Sequence, residues 1–396
     1  MAGGLTPSRD GLARIDAWLD GHSGHPDHSP PGRRHAGASV LILQGGREIH
    51  FASAGTRRGL EPDGPPFARD TIVRIFSMTK PVTSLVAAML MEEGRLVLDR
   101  PVSDWLDGWD AMETIDGTPC ATPTLQQLLT HTAGLTYSFN PSELAARYAE
   151  AGVEFRPFDG TLAEQVDALA RLPLAFPPGT AWLYSVAIDV VGRIIEVLEG
   201  QPLDAVFRDR VFDPLGMDDT AFHLPPTKVD RYADCWTKTD DDPLALYDPA
   251  EGSAWREGNV TMFSGGGGLL STIDDYARFA AVLSGYSRQR LVSPATLSFM
   301  RANHLGTDVA SLGVPSFAEL PTRGMGCGIG GACVTSPAVM GVPGSVGDFG
   351  WGGMASTYFW CDPVHDLTCI FFTQLVPSSA YTSRAELKAL VHAALE

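Results

Sequence analysis

Several features that define whole classes of protein are absent from this chain. Its six cysteines form no Cys-x-x-Cys pair, which argues against the common zinc and thioredoxin-like thiol motifs. No stretch reaches the ~18 consecutive apolar residues that a membrane span requires. The pentapeptide Gly-x-Ser-x-Gly does not occur, which excludes the nucleophile elbow of the α/β-hydrolases.

Lysine is also scarce, because 25 of the 29 basic residues are arginine. The four lysines are Lys80, Lys228, Lys238 and Lys388. Arginine keeps its proton in proteins whereas a buried lysine can lose it, so the few lysines are candidates for proton transfer. The net charge of −18 repels phosphate backbones and anionic lipid surfaces. We therefore expect neither a nucleic-acid nor a membrane partner.

The chain is long and apolar enough for a large core, with 396 residues of which 44% are hydrophobic. Its first residues lack the basic region and apolar run of a secretory signal, so the expected location is cytoplasmic with free thiols. Self-association as a homo-oligomer is left open.

Strand signals lie at both ends of the chain and helical signals between them. Alternating apolar runs around Gly45-Gly46 predict a hairpin over residues 39–54. Helical spacing predicts a helix over 186–198 that stops at Gly200. Other predicted elements are helices over 8–20, 77–94, 272–283 and 384–395, and strands over 357–360 and 367–373.

This order predicts an α/β fold of the α+β type. Both chain termini would contribute to one antiparallel sheet flanked by helices, and a mostly helical lobe would be inserted between them. The predicted domains are residues 1–76 with 276–396, and residues 77–275. The cleft between them is the expected ligand site.

Ser77 and Lys80 form a Ser-x-x-Lys motif at the start of a predicted helix. Residues three apart on a helix share a face, so the hydroxyl and the amine can meet. A serine hydroxyl needs a neighbouring base, and a neutral lysine amine can serve as one. Pro81 fits a first helical turn, which places Ser77 at the helix N-terminus, where the macrodipole favours an oxyanion. The alternative is a serine and a lysine that share a surface face by chance.

Two further segments carry candidate site residues. Tyr184 precedes the 186–198 helix, where a phenol beside a lysine can act as general base and acid; the alternative is a tyrosine of the core or rim. Gly350–Ala355 is predicted to open a late strand, and its glycines would let substrate approach backbone N–H groups. The alternative there is a bulged strand end with Trp351 packed in the core.

The order of these three segments resembles that of the serine β-lactamase and penicillin-binding-protein superfamily. Within it, the chain most resembles the family VIII carboxylesterases, whose fold is that of class C β-lactamases. The resemblance extends from about Ser39 to Leu375. Three other segments support it: Leu128–Leu135, Pro214–Met217 and Ser264–Leu269.

The resemblance implies a role for each motif. Ser77 would be the acylated nucleophile, and Lys80 with Tyr184 would activate it and later the deacylating water. The backbone N–H groups of Ser77 and Met354 would form the oxyanion hole. Trp351, Gly352 and Gly353 would occupy the strand motif that is Lys-Thr-Gly in class C β-lactamases. Aromatic residues near the motifs are candidates for a substrate-binding wall, with a place in the core as the alternative for each: Tyr137, Phe139, Phe158, Trp182, Trp351 and Trp360.

Two departures from the β-lactamase pattern bear on the substrate. Val186 stands where Tyr-x-Asn has its asparagine, and Trp351 stands where the third motif has its lysine. Loss of one charge-assisted contact costs about 1.5–3 kcal/mol. We therefore expect a serine carboxylesterase for short- to medium-chain esters, with a small-molecule ester as substrate and no cofactor. The alternatives are an acyltransferase, an amide hydrolase, a weak β-lactamase or a non-catalytic ligand-binding relative.

Two other patterns were weighed as ligand sites. The segment Gly326–Gly331 matches the Gly-x-Gly-x-x-Gly motif of dinucleotide-binding loops. No helix signal follows it in the sequence, which argues against a dinucleotide site. A Pro/Gly-rich stretch holds a group of potential metal ligands that no predicted element keeps rigid, so a solvated loop is expected and no metal. This group consists of His22, His25, Asp27, His28 and His35.

Overall fold

A computed structural model describes residues 5, 7–24, 34–61, 63–313, 316–317 and 320–396. The α-helices within these ranges are α1 (Arg9–His22), α2 (Lys80–Glu92), α3 (Leu125–Leu129), α4 (Glu143–Glu150), α5 (Leu162–Leu169), α6 (Ala187–Glu199), α7 (Leu203–Phe207), α8 (Asp213–Leu215), α9 (Ile273–Ser284), α10 (Pro294–Arg301), α11 (Pro337–Met340) and α12 (Ser383–Ala393). The strands are β1 (Gly37–Gln44), β2 (Arg47–Gly55), β3 (Val73–Arg74), β4 (Met112–Glu113), β5 (Pro119–Cys120), β6 (Cys235–Thr237), β7 (Ala245–Asp248), β8 (Leu270–Ser271), β9 (Ser316–Phe317), β10 (Leu320–Pro321), β11 (Met325–Gly328), β12 (Gly331–Val334), β13 (Phe349–Gly352), β14 (Tyr358–Asp362), β15 (Leu367–Thr373) and β16 (Leu375–Val376).

A seven-stranded antiparallel sheet joins the two ends of the chain. Its strand order is β11-β12-β13-β14-β15-β1-β2, so the early hairpin completes a sheet whose other strands come after residue 324. In the register, Leu41 lies between Ile370 of β15 and Phe51 of β2. The predicted fold class is therefore confirmed. The division into domains at residues 76 and 275 stays a prediction.

Both faces of this sheet are covered, because successive strand residues point to opposite sides. Val40 and Ile42 pack in one apolar cluster with residues of α1 and α12. Leu41 and Leu43 belong to the larger cluster that includes α2, α6 and α9. Full burial of an aliphatic side chain contributes about 1.5–3 kcal/mol, so β1 is held from both sides.

The local signals in the sequence explain where these elements begin and end. Gly45 and Gly46 both have positive φ in the β1–β2 turn, the conformation that glycine adopts without strain. Thr272 caps α9 by accepting a hydrogen bond from the Asp275 N–H. Gly200 ends α6 in the left-handed conformation, as its position predicts.

The structure also bears on the two patterns set aside above. The Gly326–Gly331 segment forms β11, a tight turn and the start of β12, so a strand and not a helix directly follows the glycines. His25, Asp27 and His28 lie outside the described residues. The prediction of a solvated loop is wrong for His35: this residue is buried, and burial lowers the pKa of its imidazole to about 3.

All six cysteines are free, in agreement with the expectation. Within the part of the chain that the structure describes, no helix has both the length and the apolar character that crossing a bilayer requires.

The buried side chain of Arg74 in β3 makes hydrogen bonds to residues that are far apart in the sequence. Its guanidinium is fully buried and donates to Asp248 Oδ2 at 2.6 Å, to the Ala233 carbonyl at 2.8 Å and to Ser253 Oγ at 3.2 Å. The same side chain contacts Gln374 Oε1 at 3.3 Å. A single side chain therefore connects β3, the end of β7 and the segment between β15 and β16.

Replacement of Arg74 by Met should lower the free energy of unfolding by about 3–5 kcal/mol, because Asp248 is left as an unpaired, mostly buried carboxylate. Urea unfolding followed by circular dichroism measures this difference. Arg147→Ala is the control: Arg147 pairs with Glu143 on the surface of α4, and such a pair contributes about 0–1 kcal/mol. Equal effects of the two substitutions would contradict the role given to Arg74.

Candidate active site

Ser77 lies on a short turn directly before a long helix. Residues Phe76–Thr79 form a 3₁₀ turn and α2 begins at Lys80, so the prediction that Ser77 starts the α-helix itself is wrong by one turn. Phe76 has a φ of 43°, a left-handed conformation that is rare for a bulky residue and concentrates at functional sites. The chain thus changes direction sharply at Ser77.

The Lys80 side chain is buried and its amine is surrounded by oxygen atoms. Lys80 Nζ donates to the Gly266 carbonyl at 2.6 Å, to Tyr137 Oη at 2.8 Å and to Ser77 Oγ at 3.2 Å. Three acceptors match the three N–H donors of an ammonium group. The predicted proximity of Ser77 and Lys80 is present in the structure.

Tyr184 reaches the same serine from another part of the chain. Its hydroxyl donates to Ser77 Oγ at 2.6 Å, and its ring centroid lies 4.7 Å from Lys80 Nζ. His131 packs against the ring at 4.8 Å between centroids. His131 has a φ of 56°, and burial holds the pKa of its imidazole well below its usual range. A neutral ring therefore supports Tyr184.

Tyr137 completes a cluster of four polar side chains. Its ring stands 5.2 Å from that of Tyr184. Burial, together with the neighbouring Tyr184 and Asp189, raises the pKa of Tyr137 well above its usual range. Tyr137 is therefore a neutral phenol that accepts from Lys80 and walls the cavity.

The sequence predicts that the Gly-rich segment 350–355 opens a late strand. Gly350–Gly352 form most of β13, which begins at Phe349, one residue before the segment. β13 ends at Gly352, and Gly353 turns the chain over the Ser77 segment. A β-carbon on Gly353 would lie 2.3 Å from the Ile75 carbonyl oxygen, so this approach requires glycine. Ser77 and Met354, whose N–H groups are predicted to form the oxyanion hole, both line the cavity beside this turn. Their role stays a prediction.

Ser77 opens into a cavity of about 800 Å³. Of the residues predicted for the site, eight line this cavity, and Lys80 lies behind Ser77. The eight are Ser77, Tyr137, Trp182, Tyr184, Trp351, Gly352, Gly353 and Met354. Phe139 and Trp360 also line it, whereas Phe158 does not.

The two tryptophans of the predicted wall are mostly buried. Trp351 stacks on His131 with 6.3 Å between ring centroids and an interplanar angle of 13°. Trp182 packs with Val309, Met325 and Cys327. Each side chain is therefore packed in the core and also lines the cavity.

Sequence reasoning missed several residues of the cavity. Asp189 is a buried carboxyl five residues after Tyr184, and burial raises its pKa. Phe155, Tyr247 and Trp255 add aromatic surface from three separate segments. No local signal in the sequence could have found these residues, because their places at the cavity depend on tertiary packing.

One cluster with metal-ligand geometry occurs among the described residues. It comprises Asp348, Asp362 and His392; Asp348 also lines the cavity, and His392 belongs to α12. Lys388 Nζ stands 2.7 Å from Asp348 Oδ2. This ammonium already neutralises the carboxylate and repels a cation.

Comparison with known proteins agrees with this geometry. The Beta-lactamase family matches residues 16–393. Esterase EstB of Burkholderia gladioli is 31% identical over 379 residues, covering 91% of this chain and 90% of its own. Lovastatin esterase of Penicillium rubens is 31% identical over 285 residues, covering 67% of this chain and 68% of its own.

A solved structure, "EstCE1, a hydrolase with promiscuous acyltransferase activity", superposes with a TM-score of 0.79 at 26% identity. It covers 97% of this chain and 99% of its own. The family match over nearly all residues, the shared fold and the esterase relatives lead to one conclusion. The chain belongs to the Beta-lactamase family, as a serine hydrolase of the superfamily that includes the penicillin-binding proteins.

Proposed function

We propose that this protein is a serine carboxylesterase that acts through an acyl-enzyme on Ser77. The observation that carries the proposal is that Ser77 Oγ lies 2.6 Å from Tyr184 Oη and 3.2 Å from Lys80 Nζ. Two groups able to exchange protons thus contact one hydroxyl at the bottom of an apolar cavity. That is the arrangement an activated serine requires.

In the acylation step, the reactive form of the Tyr184/Lys80 pair holds one proton fewer than a phenol and an ammonium together. Ser77 Oγ attacks the carbonyl carbon of the ester, and its proton passes to this pair. The former carbonyl oxygen becomes an oxyanion, which the N–H groups of Ser77 and Met354 stabilise. The bond between the carbonyl carbon and the alcohol oxygen then breaks. The leaving oxygen takes the proton from Tyr184/Lys80, so that an acyl-serine and a free alcohol remain.

In deacylation, water takes the place of the alcohol. The Tyr184/Lys80 pair accepts a proton from the water, whose oxygen attacks the acyl carbon. Ser77 Oγ then leaves and recovers the proton, which releases the carboxylic acid. Because the two half-reactions share one intermediate, the kinetics are of the ping-pong type.

Acyl transfer is the second candidate activity. An alcohol that occupies the cavity in place of water would accept the acyl group by the same proton transfers. The structural relative EstCE1 is described as a hydrolase with promiscuous acyltransferase activity, and the cavity here offers an apolar wall for such an acceptor. Cleavage of β-lactams is less favoured, because Val186 and Trp351 replace two polar residues of the β-lactamase motifs.

Replacement of Ser77 by Ala should abolish hydrolysis of p-nitrophenyl butyrate, and Lys80→Arg should reduce kcat more than a hundredfold because arginine does not accept a proton. Initial rates with this ester measure both effects, and a chromogenic cephalosporin is assayed in parallel as a second substrate. We expect little or no cephalosporin cleavage by the unaltered protein.

Two variants serve as matched controls. Ser84→Ala removes another buried serine from α2, and Lys228→Arg changes a lysine far from the cavity. Both should keep the initial rate within about twofold. Ester hydrolysis that persists in Ser77→Ala would refute the proposed nucleophile.

The size and rim of the cavity support esters with a bulky apolar part as well as the expected short and medium chains. Phe139 is 66% exposed and stacks on Tyr137 at 4.7 Å. Tyr247 is 50% exposed and also lines the cavity. Exposed aromatic surface at the mouth of an apolar cavity favours a ligand that covers it.

The variants Phe139→Ser and Tyr247→Ser should each raise KM for 2-naphthyl esters by about 5–30-fold, since each loses about 1–2 kcal/mol of apolar contact. Hydrolysis of p-nitrophenyl acetate, which is too small to reach the rim, should change less than twofold. Val364→Ser is the control, because Val364 is equally exposed but lies on the β14–β15 turn outside the cavity. Equal losses for both esters would contradict a binding role for the rim.

A further inference from the structure

Asp189 is a buried carboxyl group next to the candidate site that the mechanism above does not use. It is the third residue of α6 and is only 1% exposed. One oxygen, Oδ1, accepts from Ser264 Oγ at 2.5 Å and from the Gly266 N–H at 3.0 Å. The other, Oδ2, has no hydrogen-bond partner among the described residues.

The loop that Asp189 holds is the one that anchors Lys80. Gly266 donates its N–H to Asp189 and accepts at its carbonyl from Lys80 Nζ at 2.6 Å. Gly265 is fixed from the other side, because its carbonyl accepts from Thr83 Oγ1 at 2.6 Å. A β-carbon on Gly266 would lie 2.3 Å from Asp189 Oδ2. Only glycine permits so close an approach of loop and carboxyl.

The charged groups around Asp189 also connect this carboxyl with Lys80. Lys80 of α2 is the cation whose charge acts on the carboxyl. The segment after α3 contributes the neutral phenol of Tyr137, and the segment before α6 contributes Tyr184. The 264–268 loop offers the Ser264 hydroxyl and backbone groups. In a low-dielectric interior, a carboxylate near an ammonium stabilises the protonated amine.

We propose that Asp189 is a positioning residue for Lys80. Its carboxylate fixes the Gly266 carbonyl that orients the amine, and its negative charge sets the pH range in which the Tyr184/Lys80 pair accepts the Ser77 proton. This inference rests on the proposed function. It adds a residue that acts through Lys80 and whose hydrogen-bond partners among the described residues are Ser264 and Gly266.

A structural explanation competes with this role. A carboxylate in the first turn of a helix is stabilised by the helix dipole wherever it occurs. The chain supplies a matched case in Asp275, the third residue of α9. Asp275 is also buried and accepts from the Asp219 N–H at 2.7 Å and from Thr220 Oγ1 at 3.0 Å. It does not line the cavity.

The test compares Asp189→Asn, Asp189→Ala, Ser264→Ala and Asp275→Asn. The readouts are kcat and KM for p-nitrophenyl butyrate between pH 5 and 9, and the rate at which a fluorophosphonate labels Ser77, followed by mass spectrometry. Asparagine keeps an acceptor oxygen for the loop but removes the charge. We therefore expect the plateau value of kcat in Asp189→Asn to stay within about tenfold of that of the unaltered protein. The acid limb of its plot of kcat against pH should shift to lower pH by about half a unit or more.

Alanine removes both the charge and the acceptor, so Asp189→Ala should lower kcat and the labelling rate more than tenfold while KM changes less than threefold. Ser264→Ala should give a smaller loss, because the Gly266 N–H bond remains. Asp275→Asn should leave the pH profile unchanged. Should Asp189→Ala fail to fold, Asp189→Asn and Ser264→Ala still decide the question.

Two kinds of failure are distinguishable. If the unaltered protein neither hydrolyses the ester nor labels at Ser77, the proposed function is wrong. If it does both, and the Asp189 variants keep its kcat and its pH profile, the positioning role is wrong and Asp189 only stabilises α6. A profile that shifts equally in Asp275→Asn would also overturn the proposal.

Discussion

A single buried amine, that of Lys80, sets the arrangement of the elements around the cleft. An ammonium group that leaves water must find hydrogen-bond acceptors, because an unpaired buried charge costs several kcal/mol. Its three acceptors come from three separate segments: Ser77 before α2, Tyr137 after α3, and Gly266 before β8. Each segment must therefore be in place before the amine can be buried. The packing of α2 against α6 and the sheet provides this preorganisation.

The same arrangement explains why the groups around Ser77 hold different protonation states. Burial is the largest cause that keeps His131 neutral and Tyr137 protonated; the charge of Lys80 adds to it for His131, and Tyr184 and Asp189 add to it for Tyr137. Tyr184 and Lys80 contact Ser77 directly, and the proton transfers are assigned to them. The neutral groups then serve as supports: His131 packs on the Tyr184 ring, and Tyr137 accepts from the amine. The proposed mechanism thereby assigns acid–base function to two residues of a largely apolar cleft.

Sequence reasoning succeeded where the signal is local. The i, i+3 spacing of Ser77 and Lys80 and the stop at Gly200 follow from backbone geometry over a few residues. It placed the start of α2 one turn too early, because the composition of a 3₁₀ turn before a helix does not differ from that of a first helical turn. Asp189 was missed for a different reason. Its partners, Ser264 and Gly266, are more than 70 residues away, and no local pattern encodes such a contact.

The pairing of β1 with β15 has a consequence for how the chain is made. Ala38 lies opposite Thr373, so the two strands are separated by more than 300 residues of sequence. The β1–β2 hairpin leaves the ribosome long before β15 has been synthesised. Until then one edge of β1 is unpaired, and most of the residues of β1 are apolar. Unpaired apolar edges template association with other chains. The edge of β1 therefore stays unpaired, and open to association with other chains, until β15 has been synthesised.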